Sequence, residues 1–97
     1  MGSPVVRLGD ICTGHGCWPP RPNVSASGNV RVNGIGVHRV GDAWAAHTCL
    51  AIPETHASVQ ASGSGTVRVN GKAVARIGDS IACGSSNATG SGNVFAG

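Results

Sequence analysis

The sequence predicts an all-β domain in which β-hairpins form a pseudo-threefold arrangement. First, residues 27–42 (SGNVRVNGIGVHRVGD) return as residues 64–79 (SGTVRVNGKAVARIGD), and the ends of this unit recur alone at residues 4–10 and 91–94. Second, apolar residues alternate with polar ones in short runs. Third, no stretch has the apolar spacing of a helix, because the 16 Gly and 5 Pro interrupt every long window.

Each copy of the unit reads as a hairpin. Val30 and Val32 alternate with polar residues, as in a strand with one buried face, and residues 67–69 repeat this pattern. Asn33-Gly34 and Asn70-Gly71 follow directly, and Asn-Gly favours a tight hairpin turn because both residues accept positive φ. The apolar pattern then resumes at 37–40 and 74–77. We expect an N-terminal strand at 4–8 to complete a third hairpin with the strand that opens at 91–94, which would remove an open sheet edge.

When the repeated segments are aligned, the chain contains three cycles of Gly-Asp, loop and Ser-Gly-x-Val. Arg-x-Gly-Asp begins at Arg7, Arg39 and Arg76, and loops of unequal length follow at 11–26, 43–63 and 80–90. We expect a single domain over 1–97 with cycles at about 4–32, 37–69 and 74–97, and no effector extension. Its three loops would meet at one end, opposite a flat, roughly trigonal base.

The composition indicates that this domain needs stabilisation beyond its apolar core, from a disulfide, a structural metal or a partner chain. A 97-residue chain with two Trp, one Phe and no Tyr can bury little apolar surface. The net charge of +3 comes from Arg residues spread along the repeats without aromatic stacking partners, which argues against nucleic-acid binding. No apolar stretch approaches the roughly 20 residues of a membrane-spanning helix. The N-terminus lacks a secretory pattern, so we expect synthesis in the cytoplasm.

Ligand-type side chains lie at matching offsets in the three loops. His15 and His47 each lie five residues after the Asp of their copy, and Cys83 lies four residues after Asp79. A threefold relation between the copies would bring these three side chains together, and the long middle loop adds His56. Three imidazoles and one thiolate form a tetrahedral zinc shell, although a His-rich site would also accept iron.

Other polar residues admit competing interpretations. Cys12, Cys17 and Cys49 lie near His15 and His47 and can displace a chosen ligand, but we interpret them as small buried residues; a Cys12–Cys17 disulfide stays open. His38 lies within a strand and is interpreted as a surface or partly buried residue. The repeated Asp follows Gly at a strand end, where a carboxylate commonly accepts hydrogen bonds from turn amides, so we assign it a structural role. The three positions are Asp10, Asp42 and Asp79.

The chain resembles the PAAR-repeat proteins. Residues 4–10 (PVVRLGD) and 73–79 (AVARIGD) are similar to the Pro-Ala-Ala-Arg-x-Gly-Asp motif of that family, although no copy carries the literal tetrapeptide. The same framework includes His15 before Trp18-Pro19-Pro20, residues 53–56 (PETH) and residues 81–84 (IACG). The resemblance implies a small cone-shaped β domain with a zinc near its apex. It also implies the ligand set His15, His47, His56 and Cys83.

The resemblance further implies a function. Members of this family cap the blunt end of the trimeric spike (VgrG-like or phage tail spike) of a contractile injection machine, either a type VI secretion system or a phage tail. We therefore expect a structural, non-enzymatic tip: one chain on a spike trimer, delivered outward on contraction to pierce the target-cell envelope. Two alternatives stay open, a small zinc hydrolase using Glu54 as general base and a β-solenoid binding module.

Overall fold

A computed structural model describes residues 2–49 and 54–97, apart from the side chains of Glu54 and His56. All secondary-structure elements in this part of the chain are β-strands, so the predicted all-β class is confirmed. None of the described residues belongs to a helix that is long and apolar enough to cross a membrane. The strands are β1 Ser3–Pro4, β2 Arg31–Val32, β3 Ile35–Gly36, β4 Ala43–Cys49, β5 Glu54–Val59, β6 Arg68–Val69, β7 Lys72–Ala73 and β8 Phe95–Ala96.

Three equivalent two-residue ladders form the repeated part of the fold. β2 pairs with β3 and β6 with β7, each across an Asn-Gly turn whose Asn has positive φ, 56° at Asn33 and 55° at Asn70. The third ladder joins the chain ends, because β1 pairs with β8 in the register Ser3 to Ala96 and Pro4 to Phe95. This closure was predicted, although the strands are shorter than the alternation indicated.

A backbone ring replaces the longer strands that we expected. After each return strand the chain leaves its own hairpin and bonds to the next copy. The Val6 N–H donates to the Ala75 carbonyl at 2.9 Å, Ala75 N–H to His38 at 3.0 Å, and His38 N–H to Val6 at 3.0 Å. These three hydrogen bonds close a cycle, so the copies are related by a pseudo-threefold axis, as the repeats predicted.

The middle loop departs from the sequence prediction. Residues 43–63 were interpreted as a loop, but β4 and β5 make the longest hairpin of the described chain, with a register shift between Trp44 and His47. In β4 the buried side chains are those of Trp44, His47 and Cys49, and only these three positions show the inward face of a strand. The register pairs the backbone of His47 with that of His56.

Buried residues form layers along the pseudo-threefold axis. One apolar cluster lies beside the three short ladders, and it consists of Val5, Val37, Val69, Val74 and Ala96. A second cluster holds the residue two positions after each repeated Asp, namely Cys12, Trp44 and Ile81. His38 links them, because its ring lies 5.2 Å from that of Trp44 while the neighbouring Val37 belongs to the first cluster. Both clusters are small, as the composition predicted.

An open apolar concavity, the base hollow, lies at the ladder end of this stack. Its volume is about 200 Å³. Three equivalent positions of each copy line it, together with Phe95. The three sets are Val30, Val67 and Val94; Val32, Val69 and Ala96; and Val5, Val37 and Val74.

Polar contacts repeated in every copy supplement the small core. In each copy the Ser of Ser-Gly-x-Val accepts hydrogen bonds from the amides two and three residues later. Ser27, for example, accepts from Asn29 and Val30 at 3.3 and 3.0 Å. The same hydroxyl donates to the turn Asn of another copy, from Ser27 to Asn70 at 2.7 Å and from Ser91 to Asn33 at 2.7 Å. These bonds connect neighbouring hairpins, so each of the two Asn-Gly turns is held by a different copy. The third hydroxyl, that of Ser64, donates to the Gly97 carbonyl.

Candidate metal centre

Three side chains, one from each predicted loop segment, converge at the end of the stack away from the base hollow. The ligand-type atoms of His15, His47 and Cys83 all lie within 4.8 Å of one another. In a tetrahedral zinc shell, ligand atoms are separated by roughly 3.3–3.7 Å, given Zn–N of about 2.0–2.1 Å and Zn–S of about 2.3 Å. The cluster therefore fits a metal ion after small rotations of the side chains.

The fold positions His47 on the inward face of β4, where it is 4 % exposed. Its Nδ1 lies 2.8 Å from the carbonyl oxygen of Pro19. A carbonyl only accepts, so Nδ1 donates the proton of this hydrogen bond, and Nε2 is the ring nitrogen that can bind a metal. A backbone carbonyl that fixes the tautomer in this way is typical of metal-binding histidines.

His15 is positioned by a tight backbone turn. Its N–H donates to the Trp18 carbonyl at 3.0 Å, and the Trp18 N–H donates back at 2.8 Å. The His15 ring stacks on the Trp18 indole at 5.0 Å and meets His47 edge-on at 5.0 Å. Trp18 thus shields one face of the cluster, a role that the sequence prediction missed. The only indication in the sequence was that Trp18 follows His15 by three residues.

Cys83 enters from the third loop. The loop turns where the Gly84 N–H donates to the Ile81 carbonyl at 3.0 Å, and Gly84 has φ of 110°, which favours glycine. Ile81 anchors this turn in the second apolar cluster, and Cys83 packs against the same cluster. Its thiol is free and partly exposed, so it can supply a soft thiolate beside the two imidazoles.

His56 was predicted to be the fourth ligand. The backbone of β5 places it opposite His47, but its side chain lies outside the described residues. Its role as a ligand stays a prediction. The same holds for Glu54, whose backbone pairs with Cys49 and whose side chain is also not described.

A disulfide joins Cys17 to Cys49 beside this cluster. Cys17 is two residues after His15 and Cys49 is two residues after His47, so the bond ties the first loop to β4. The interpretation of Cys17 as a small buried residue was therefore wrong, because it is exposed and disulfide-bonded. Cys49 is buried as predicted, but its sulfur is cross-linked. The alternative pairing of Cys12 with Cys17 does not form, because Cys12 is a free, buried thiol in the second apolar cluster. Sequence spacing could not reveal a partner 32 residues away.

His38 lies apart from the three converging ligand-type residues, and its predicted exposure was wrong. It is completely buried (0 %), and its Nδ1 donates to the Ser25 carbonyl at 2.8 Å. Its Nε2 has no hydrogen-bond partner among the described residues. Burial lowers the pKa of His38, and the hydrogen bond to the Ser25 carbonyl, the charge of Asp42 and the nearby Gln60 side chain offset this only in part. His38 is therefore a neutral core imidazole.

The repeated Asp has the structural role that we assigned. In the middle copy, Asp42 accepts from the Arg39 N–H at 2.8 Å and from the guanidinium Nε and Nη2 at 2.9 and 3.0 Å. The other two copies repeat this geometry around a Gly with φ near 90°. Burial by itself raises the pKa of Asp42, but the hydrogen bonds and charge of Arg39 outweigh it and hold that pKa below its usual value.

Buried amide side chains were also missed. One closes each copy, with its backbone N–H bonded to the carbonyl of the repeated Asp; they are Asn23, Gln60 and Asn87. Gln60 is the longest, and it accepts from the Trp44 indole N–H at 3.1 Å while donating to the Ser62 and Ser80 carbonyls. It therefore fixes the Trp44 side chain above the backbone ring. Unequal loop lengths hide this equivalence in the sequence.

Comparison with known proteins agrees with this architecture. No curated protein sequence matches the chain. The profile of a protein family described as the PAAR motif matches residues 13–89, which include the converging side chains of all three loops. The match covers most of the 97 residues. The chain therefore belongs to the PAAR-repeat family of metal-binding, structural spike-tip proteins of contractile injection systems.

Proposed function

We propose that this chain is the piercing tip of a contractile injection machine and that it caps a trimeric, VgrG-like or phage-tail spike as one copy per spike. The observation that carries the proposal is the closed ring of hydrogen bonds among Val6, His38 and Ala75, which gives one chain a pseudo-threefold framework. Such a framework can match the true threefold end of three spike chains and cover their strand edges.

The proposed role of the metal is to stiffen the end of the domain away from the base hollow, which would enter the target envelope first. His15 and Cys83 come from the first and third loops and His47 from β4, and bound zinc would cross-link them, with His56 as the proposed fourth ligand. The disulfide between Cys17 and Cys49 also connects the first loop to β4. Stiffness there is useful because sheath contraction would drive the tip through a target-cell envelope, which requires no catalytic turnover.

The proposal is tested by purifying the chain together with its spike trimer and measuring metal content and stoichiometry. We expect one zinc and one copy of this chain per spike trimer. His15→Ala, His47→Ala and Cys83→Ala should each lose most of the metal. His38→Ala is the matched control, because it removes a histidine outside the cluster and introduces the residue found at Ala75.

Two results would contradict the proposal in different parts. Full metal content in all three cluster variants would refute the metal site. A metal-loaded chain that does not bind a threefold spike would refute the tip assignment.

A further inference from the structure

The base hollow has a shape and lining that the proposed capping role does not by itself explain. It is an open concavity of about 200 Å³, larger than a cavity that admits benzene (~150 Å³). Its floor is buried, with Val5, Val37 and Val74 at most 4 % exposed. Its outer positions stay in contact with solvent, because Val30 and Val67 are 37 % and 39 % exposed. A flat docking face would not need such a depression.

The formal side-chain charge of the segments that build the ladder end has one sign. Residues 27–36, 64–73, 91–97 and 2–5, which build the ladder end, contain Arg31, Arg68 and Lys72 and no Asp or Glu. All three cations are exposed, and no acidic side chain of the chain pairs with them in the described structure. Arg31 and Arg68 each stand between two lining valines in the sequence, and the third copy has the exposed Phe95 at that position.

A second copy of this chain is a poor occupant of the base hollow. In a twofold contact, one concavity would face another, so neither would be filled and the lining valines would lack packing partners. The cations of one copy would also approach the identical cations of the other, which is unfavourable. The occupant must therefore protrude, be apolar at its centre and carry acidic groups around it.

We propose that the base hollow receives an apolar knob formed where the three chains of the spike meet on their common axis, with acidic spike side chains opposite Arg31, Arg68 and Lys72. Three identical chains present three equivalent side chains at such an axis, and the base hollow presents three sets of three equivalent positions. This inference rests on the proposed function, since it specifies how the spike is recognised.

The test measures binding of the full chain to the purified spike trimer of the same machine. Val67→Asp places a carboxylate at the margin of the base hollow, and we expect it to weaken binding at least 100-fold. Val24→Asp is the matched control, because Val24 is 55 % exposed and does not line the base hollow. Its affinity should stay within about twofold of the original chain. Metal content and melting temperature establish that both variants are folded.

The charge component has its own variant. Arg68→Glu should reduce the association rate at low salt at least tenfold, and added salt should diminish the difference. An unchanged rate would overturn the acidic margin of the proposed knob.

The remaining outcomes separate this inference from the proposed function. If the unaltered chain does not bind the spike, the tip assignment itself fails. If it binds and Val67→Asp binds equally well, capping stands and the knob is wrong. If the isolated chain sediments as a dimer that Val67→Asp dissociates, the occupant is a second copy and the proposal is overturned.

Discussion

His38 shows how one side chain distinguishes otherwise equivalent copies. The other copies place Val6 and Ala75 at this position, and all three residues are completely buried. The imidazole is accommodated because the Ser25 carbonyl accepts from its Nδ1 and the Trp44 ring packs against it edge-on. It faces two charged groups, Asp42 and Arg39, which already neutralise each other in an ion pair.

Substitution of His38 should change how stability depends on pH. The pKa of His38 lies below 6.5 in the folded chain, so between that lowered value and about pH 6.5 the unfolded chain binds an extra proton. Stability therefore falls as the pH falls through this window, by up to about 1.4 kcal/mol per pH unit. His38→Val should remove this contribution. Denaturant unfolding from pH 7.5 to 5 at one zinc concentration measures it, and parallel curves for both proteins would contradict the prediction.

Asp42 also lowers stability as the pH falls, but in a lower pH window. Arg39 holds its pKa below the ordinary value, so its stabilisation is present above about pH 4 and is lost as the pH falls through the folded-state pKa. Asp42→Asn should cost about 2–4 kcal/mol of unfolding free energy at pH 7, because the guanidinium of a pair only 12 % and 6 % exposed loses its counter-charge. The cost should shrink below pH 4. Urea unfolding at pH 7 and pH 3 checks it; an equal cost at both values would refute the ionic explanation.

Among the secondary-structure elements, the short hairpins were predictable and the long one was not. Asn33-Gly34 and Asn70-Gly71 specify tight turns through local backbone preference, which requires no knowledge of the rest of the fold. The hairpin of β4 and β5 depends on non-local contacts instead. Trp44 is held by Gln60 and by packing on Cys12, Cys49 by Cys17, and His47 by the Pro19 carbonyl. None of these partners is marked by local sequence pattern, whereas His15, His47 and Cys83 were found because repeat register fixed their offsets.

The disulfide between Cys17 and Cys49 stabilises the domain by cross-linking the long hairpin to the first loop. It closes a loop between residues 32 positions apart, and the loop-closure model assigns such a cross-link about 3–4 kcal/mol. We expect a reductant to lower the urea midpoint of the original chain by the corresponding amount. The double variant Cys17→Ser and Cys49→Ser should start at the lower midpoint and should not respond to reductant. A midpoint in the original chain that does not depend on reductant would contradict this assignment.

The layered architecture predicts that metal and spike act at separate ends of the domain. The cluster of His15, His47 and Cys83 and the base hollow lie on opposite sides of the backbone ring, with the second apolar cluster between the ring and the metal cluster. Removing the proposed zinc with a chelator should lower the melting temperature by more than about 10 °C, because a small domain shifts by about 4–8 °C per kcal/mol and a structural zinc contributes several kcal/mol.

Spike binding should respond much less to chelation than stability does. Below the lowered melting temperature, the stripped chain keeps the hydrogen-bonded ring at Val6, His38 and Ala75, so the lining valines hold their positions. We expect the affinity for the spike trimer to stay within about threefold, while amide exchange accelerates in the loops at 11–26 and 80–90. Calorimetry, binding and hydrogen exchange on one stripped sample make the comparison. A loss of spike affinity in parallel with the metal would show that the two ends are coupled, because the backbone ring would then depend on the cross-link above it.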